Sequence, residues 1–121
     1  MRYVRAVNRA RDRELGTRIG VADRWWLRLR GLGGRTALER GEGLLLTPCR
    51  AVHMMGMKFP LDVAFLDAGS RVVARYPRLS PGRRTRWHRA AQAALELPAG
   101  TLDETGTVEG DLVDCQEEAA P

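Results

Sequence analysis

Apolar and polar residues alternate over several short segments of the chain, and each of these segments predicts a β-strand. The clearest segment, Leu61 to Leu66, places Phe65 on one face of its strand and Asp62 on the other. The continuous apolar run Leu44 to Leu46 is typical of a strand that is buried on both faces. Weaker patterns predict further strands at residues 3–7, 18–22, 52–55, 71–76, 95–97 and 112–115.

Helical patterns are few and short. Asp23 suits the N-cap of a helix from Arg24 to Arg30, and Gly31 suits its end, where a left-handed backbone costs glycine little. Three large apolar residues predict the buried face of this helix: Trp25, Trp26 and Leu29. Shorter helical segments are predicted at residues 36–40, 87–94 and 101–105.

A turn pattern follows the clearest strand. The segment Asp67-Ala68-Gly69-Ser70 predicts a hairpin, in which Gly69 takes a positive φ and the Asp67 carboxylate accepts from backbone amides. Residues 10–15 are predicted as a turn and residues 77–86 as a basic loop. Together these elements predict one α+β domain over residues 1–121, built as a compact, mainly antiparallel β-sheet or partly open barrel with two or three short helices.

Length and composition restrict the class of protein. A chain of 121 residues builds a single hydrophobic core. No apolar run reaches the roughly 18 to 20 residues that cross a bilayer. The arginine-rich N-terminus lacks the apolar region of a secretory signal, so we expect a cytoplasmic protein without membrane contact. In a reducing cytosol Cys49 and Cys115 are expected as free thiols, although a bridge between them stays open.

Charge is segregated along the chain. The formal net charge is +5, yet residues 91–121 hold eight acidic residues and no basic one. A basic body with an acidic end can bind polyanions, or the end can fold back on the body. Nineteen of the twenty basic residues are arginine, and this compositional bias accounts for the charge more simply. The stretch Arg75 to Arg89 includes Trp87 and suits weak nucleic-acid or polyanion binding, but no nucleic-acid motif accompanies it.

The middle of the chain holds the candidate chemistry. Residues 49–67 combine a thiol, an imidazole, the one lysine and two carboxylates within an apolar run. Because buried polar groups without partners are costly, these groups either bond to one another and to backbone or line a site. The first hypothesis is a binding or accessory module for a small molecule or protein partner. Its ligand-binding residues are predicted to be His53, Lys58, Asp62, Arg35 and Met55.

An enzyme is the alternative hypothesis, because Cys49, His53 and Asp62 are the residue types of a nucleophilic hydrolase or transferase. The spacing of Cys49 and His53 matches no zinc pattern, so neither a metal nor another cofactor is expected. We expect a monomer or a weak homodimer.

Structural roles compete with these functional ones. Asp62 in a central strand can pair with Lys58, Arg30 or Arg35, or accept from backbone amides. Residues with a predicted structural role are Cys49, Asp67, Gly31 and Phe65. Methionines beside His53 fill core gaps more often than they bind ligands.

Several short motifs resemble the family called domain of unknown function 192. They are Arg30-Gly31-Leu32 with Gly34-Arg35, Gly43-Leu44-Leu45-Leu46 with Pro48-Cys49, Val52-His53, residues 57–67, Val72-Val73, residues 95–100 and Gly110-Asp111. The resemblance covers about residues 18–115, which leaves 1–17 and 116–121 weakly constrained. It implies a compact β-rich domain and no established activity. A Lys or Arg at position 58 in this family implies a role for its charge rather than its amine.

Overall fold

A computed structural model describes residues 1–117, apart from the side chains of Trp25, Leu29 and Arg30. The described chain forms strands β1 (Arg2–Asn8), β2 (Arg13–Ala22), β3 (Glu42–Leu46), β4 (Leu61–Leu66), β5 (Val72–Leu79), β6 (Ala93–Pro98) and β7 (Val113–Glu117). Helix α1 (Trp25–Arg30) follows β2, and helix α2 (Thr101–Thr105) precedes β7. The fold is therefore mainly β, which is consistent with the predicted α+β class.

All the strands join one mixed sheet in the order β5-β4-β6-β3-β2-β1-β7. Neighbouring strands are antiparallel except β2 and β3, which are parallel. The two edge strands meet where Arg71 bridges Leu112 and the Val113 amide donates to the Ser70 carbonyl at 2.8 Å. The sheet is thereby curled into a half-barrel.

Apolar side chains pack on both faces of this sheet. The interior cluster includes Ile19, Leu97 and Leu102, all fully buried. The outer cluster lies over β3, β4 and β6 and includes Phe65 and Met54, and it is covered by loops instead of a second sheet. This outer face is where the chain has room for a site.

A glycine allows the central strands to approach closely. A Cβ on Gly43 of β3 would lie 2.6 Å from the Glu96 carbonyl oxygen and 2.7 Å from Ile19 Cδ1. Side chains at this position would push β3 and β6 apart. The Gly43-Leu44 motif thus fixes the position of the strand that carries Glu96.

Most of the predicted strands are confirmed, and that at Leu61–Leu66 has the predicted bounds. The predicted turn at 10–15 is too long, because β2 already begins at Arg13. Residues 2–17, which the family resemblance left weakly constrained, form β1 and the first half of β2. The strand predicted at 52–55 is reduced to an isolated bridge between His53 and Arg84.

Two predicted helices are absent from the described chain. Residues 36–40 are mostly exposed, so a helix there would bury too little apolar surface to be stable. Residues 93–98 pair with β3 and β4, and this pairing overrides the helical propensity of 87–94. The turn predicted at 101–105 is confirmed as α2.

Local capping also differs from the prediction. Arg24 is the N-cap of α1, while Asp23 forms an ion pair with Arg2 at 3.4 Å. Trp26, predicted on the buried face, is 50% exposed, and the side chains of Trp25 and Leu29 lie outside the described part. Ser70, rather than Gly69, takes the positive φ of the hairpin, at 65°.

The Gly110-Asp111 motif has a structural role in the loop before β7. The Asp111 carboxylate accepts from Asn8 Nδ2 at 3.0 Å, Arg11 Nε at 2.8 Å and the Val108 amide at 3.1 Å. Burial alone would raise the pKa of this carboxyl, but these donors hold it at about 2, below its ordinary 3.8.

This lowered pKa makes acid stability a test of the Asp111 cluster. Since Asp111 stabilises the fold only when ionised, its contribution is complete above pH 3.8 and is lost as the pH falls towards about 2. Asp111→Asn is expected to lower the free energy of unfolding by about 2 kcal/mol at neutral pH. Urea unfolding from pH 7 downward checks this. If the free energies of unfolding of the variant and the wild type differed by the same amount below pH 4 as at pH 7, this expectation would be contradicted.

Candidate functional site: a pocket above Glu96

Asp62 lies on the interior face of the sheet, with Ala64 and Leu97 as neighbours. Its side chain is fully buried. Oδ1 accepts from the Arg78 amide at 2.8 Å, and Oδ2 accepts from the Leu102 amide at 2.7 Å. Of the partners considered from the sequence, backbone amides are the ones observed.

Both amides lack a partner within their own secondary structure. Opposite Asp62, strand β5 has two residues, Pro77 and Arg78, so the ladder is interrupted by a bulge and Arg78 takes a φ of 52°. Leu102 is in the first turn of α2, where amides have no helical acceptor. Asp62 therefore fastens the bulge and the start of α2 to β4.

Glu96 is the buried carboxylate on the opposite, outer face of the sheet. It pairs across the strands with Leu44 and Val63, and its residue surface is only 6% exposed. Among the side chains that the structure describes, none donates a hydrogen bond to its carboxyl group. Burial raises the pKa of Glu96 from 4.5 to about 7, so the neutral acid is a major form near neutrality.

A pocket of about 620 Å³ opens above Glu96. This volume is in the range of small-molecule sites. Its walls come from the end of α1 and the following loop, from β3, and from the segment after Pro48. The residues that line the pocket include Glu96, Cys49, His53, Met55, Leu46 and Trp87.

Cys49 faces this pocket as a neutral thiol. Its Sγ donates to the Ala51 carbonyl at 3.2 Å. Burial raises the pKa of Cys49 more than the backbone hydrogen bond with Ala51 lowers it, and the smaller effects of Glu96 and Arg28 oppose each other. A thiol held in this form is a poor nucleophile. Since Asp62 is on the other face of the sheet, the structure does not assemble the Cys49–His53–Asp62 group.

The other residues predicted to bind a ligand are dispersed. His53 and Met55 line the pocket, and Met55 is 71% exposed. Lys58 is exposed and is not among the lining residues. Arg35 is also exposed and forms an ion pair with Glu42 at 2.9 Å.

Three residues with predicted structural roles occupy positions that suit those roles. Gly31 caps α1 with a φ of 50°, donates its amide to the Leu27 carbonyl and borders the pocket. Asp67 Oδ1 accepts from the Gly69 and Arg71 amides, both at 2.9 Å. Phe65 is fully buried and packs against His88, with ring centroids 4.7 Å apart.

The arginines of residues 75–89 do not form one patch. Arg75 pairs with Asp103 at 2.8 Å beside α2. Arg84 and Arg86 instead line a groove of about 560 Å³ with His53 and Trp87. This groove shares His53, Trp87 and two further residues, Ala51 and Val52, with the pocket above Glu96.

Sequence reasoning missed Glu96, because a lone carboxylate between Leu95 and Leu97 suits the solvent side of an alternating strand. The available signal was its position within the short apolar run 93–97. That run forms a central strand, which has a neighbouring strand on each side and an apolar cluster on each face. The Glu96 side chain is therefore buried together with its apolar neighbours.

Within residues 1–117, no three His, Cys, Asp or Glu side chains are grouped so that they could hold a metal ion. Neither described helix is long and apolar enough to cross a membrane.

Comparison with solved structures shows that the fold recurs. A protein of unknown function from Novosphingobium aromaticivorans is similar with a TM-score of 0.79 at 23% identity, covering 93% of this chain and 83% of that one. A Sinorhizobium meliloti protein, provisionally described as a transcription regulator, is similar with a TM-score of 0.74 at 23% identity, covering 95% and 96%. At this identity the similarity shows a shared fold alone.

Comparison with curated proteins gives no match. The model of the family DUF192, described as "Uncharacterized ACR", matches residues 6–115. The match contains the motif segments at 43–49, 57–67 and 95–100, and therefore also Glu96. The chain belongs to the DUF192 family.

Proposed function

We propose that this protein is a binding module for a small molecule, and that its ligand occupies the pocket above Glu96. The observation that carries this proposal is the Glu96 carboxyl, which is buried, lines the pocket and has no donor among the described side chains. The Glu96 carboxyl is open to the pocket, so a ligand that donates to it would complete its hydrogen bonds in place of water.

The lining of the pocket indicates what kind of molecule fits. Leu46, Val52 and Met57 offer apolar contacts, and the charged or polar side chains of the lining include Glu96, Arg28, Arg50 and His53. A matching ligand has an apolar ring or chain and carries a hydrogen-bond donor where it meets the carboxyl group. Apolar walls combined with a set of placed polar groups are typical of sites that orient a small molecule.

Binding accounts for the site better than catalysis does. The Cys49 thiol is hydrogen-bonded to a carbonyl, and the pKa of this thiol is raised by burial. Asp62, the predicted acid of an enzyme, is occupied by two backbone amides on the other face. His53 is exposed at the mouth of the pocket, where it contacts an entering ligand.

The probe N-phenyl-1-naphthylamine tests this proposal, because it is neutral and aromatic, carries one N–H and fluoresces when it leaves water. We expect saturable binding of one probe per chain. Ala51 lines the pocket, so Ala51→Trp is expected to weaken binding at least about tenfold, or about 1.4 kcal/mol. The matched control Ala68→Trp, in the exposed hairpin turn, should bind as the wild type does.

A second measurement locates the probe. In a Cys115→Ser background, alkylation of Cys49 by iodoacetamide should slow as the probe saturates, because Cys49 lines the same pocket. Absence of saturable binding, or equal affinity in the two tryptophan variants, would overturn the proposal. Unfolding curves of each variant confirm that the folded protein is being titrated.

A further inference from the structure

Backbone hydrogen bonds join the two segments that line the groove beside the pocket. Segments 50–54 and 83–88 lie antiparallel and together form what we call the basic ribbon. Three backbone amides donate to carbonyls of the opposite segment at 2.7 to 2.8 Å: Met54 to Arg83, Thr85 to Val52, and His88 to Arg50. Thr85 Oγ1 also accepts from the Val52 amide at 2.9 Å. The backbone that carries the arginines of this ribbon is therefore fixed by hydrogen bonds.

Aromatic packing anchors the far end of the ribbon. The Tyr76 hydroxyl and His88 Nε2 are 2.7 Å apart, and the His88 ring packs on Phe65. Trp87, the residue before His88, is 66% exposed and lines both the pocket and the groove. An exposed indole at the junction of two cavities gives a ligand an apolar wall on which it can stack.

No described acidic side chain neutralises the positive charge of the ribbon through an ion pair. Within residues 1–117, none of its exposed arginines forms an ion pair: Arg50, Arg83, Arg84 and Arg86. Several acids of the last third of the chain pair elsewhere, for example Asp103 with Arg75 and Asp114 with Arg9. A concave surface lined by one sign of charge attracts the opposite charge.

We propose that the ligand is an amphiphilic anion whose apolar part lies in the pocket and whose carboxylate, sulfonate or phosphate lies in the groove against Arg84 and Arg86. This inference rests on the proposed function and adds the charge of the ligand and the place of its head group. The two cavities adjoin at His53 and Trp87, which line both, so a molecule that reaches past these side chains contacts both cavities. Arginine is suited to such a head group because its guanidinium binds carboxylates and phosphates through paired N–H groups.

Two probes that differ by one sulfonate test the inference. N-phenyl-1-naphthylamine is neutral, and 5-anilino-1-naphthalenesulfonate has the same rings with an anionic group on the ring that does not carry the N–H. We expect the sulfonate to bind about tenfold more tightly, which is about 1.4 kcal/mol. Arg84→Gln/Arg86→Gln should remove that advantage and leave the affinity of the neutral probe within about twofold.

The control for charge is Arg5→Gln/Arg13→Gln, which removes the same charge at exposed positions on β1 and β2. Its affinities for both probes should match those of the wild type. Equal affinity for the two probes, with the neutral probe in the pocket, would overturn the inference and leave the proposed function standing. If neither probe binds, both fail.

Nucleic acid is the competing occupant of the basic ribbon. A fluorescent oligothymidylate that binds the wild type, loses affinity in Arg84→Gln/Arg86→Gln and is not displaced by the sulfonate probe would also overturn the inference. Steep weakening of that binding with salt would identify phosphate contacts as its source.

Discussion

Glu96→Gln will raise the free energy of unfolding by about 3 kcal/mol at about pH 8 and will change it little at about pH 5. The buried Glu96 carboxyl has a pKa of about 7, against an ordinary value of 4.5 in the unfolded chain. Between these values the native protein retains a proton that the unfolded chain has released. Wild-type stability therefore falls as the pH rises through this interval, and the glutamine variant, which does not titrate, is spared the loss.

Urea unfolding of both proteins at several pH values measures this difference. The control is Glu39→Gln, because Glu39 is exposed in the loop before β3. The free energy of unfolding of this variant should differ little from that of the wild type. A Glu96→Gln effect that is the same at both ends of the interval would show that Glu96 is solvated or paired in the folded protein.

Asp62→Asn will lower the free energy of unfolding by about 3 kcal/mol at neutral pH. Asparagine keeps one acceptor oxygen but places an amide N–H₂ group against the second backbone donor. Either the Arg78 or the Leu102 amide then loses its acceptor in a fully buried position. The bulge in β5 and the start of α2 lose their shared attachment, so the cost exceeds that of one ordinary hydrogen bond.

Asp67→Asn is the matched control for Asp62→Asn. A single Asp67 oxygen, Oδ1, accepts from both the Gly69 and the Arg71 amides, and asparagine retains that oxygen. We expect a loss below about 1 kcal/mol for this variant. Equal losses at the two positions would contradict the argument. Folded Asp62→Asn protein should still bind N-phenyl-1-naphthylamine with wild-type affinity, since Asp62 is on the other face of the sheet.

The strands could be predicted from the sequence where pairing and alternation agree. In Leu61–Leu66, residues that face the two sides of the sheet alternate, and the segment pairs with β5 on one side and β6 on the other. The bounds of this strand were predicted correctly. The segment 52–55 has a similar local pattern but forms only one bridge, because its partner is the irregular segment at Arg84. Whether such a segment becomes a strand depends on distant neighbours, which a local pattern does not contain.

The site was only partly predictable for the same reason. His53, Met55 and Cys49 were singled out by sequence proximity, and they do line one pocket. Asp62 is equally close in sequence, but alternate residues of a strand point to opposite faces, and β4 turns this carboxylate into the interior. Glu96 is far away in sequence and reaches the pocket only because β6 pairs between β3 and β4.

The titration of Glu96 in the presence and absence of a ligand tests the central claim most directly. Carbon-13 NMR of glutamate-labelled protein reports the Glu96 carboxyl, assigned by its absence in Glu96→Gln. The free protein is expected to show a pKa of about 7, and saturation with N-phenyl-1-naphthylamine is expected to shift it, because the probe displaces water from the carboxyl and donates its N–H to it. A Glu96 pKa that the bound probe leaves unchanged would contradict the claim that this carboxyl lines the binding site.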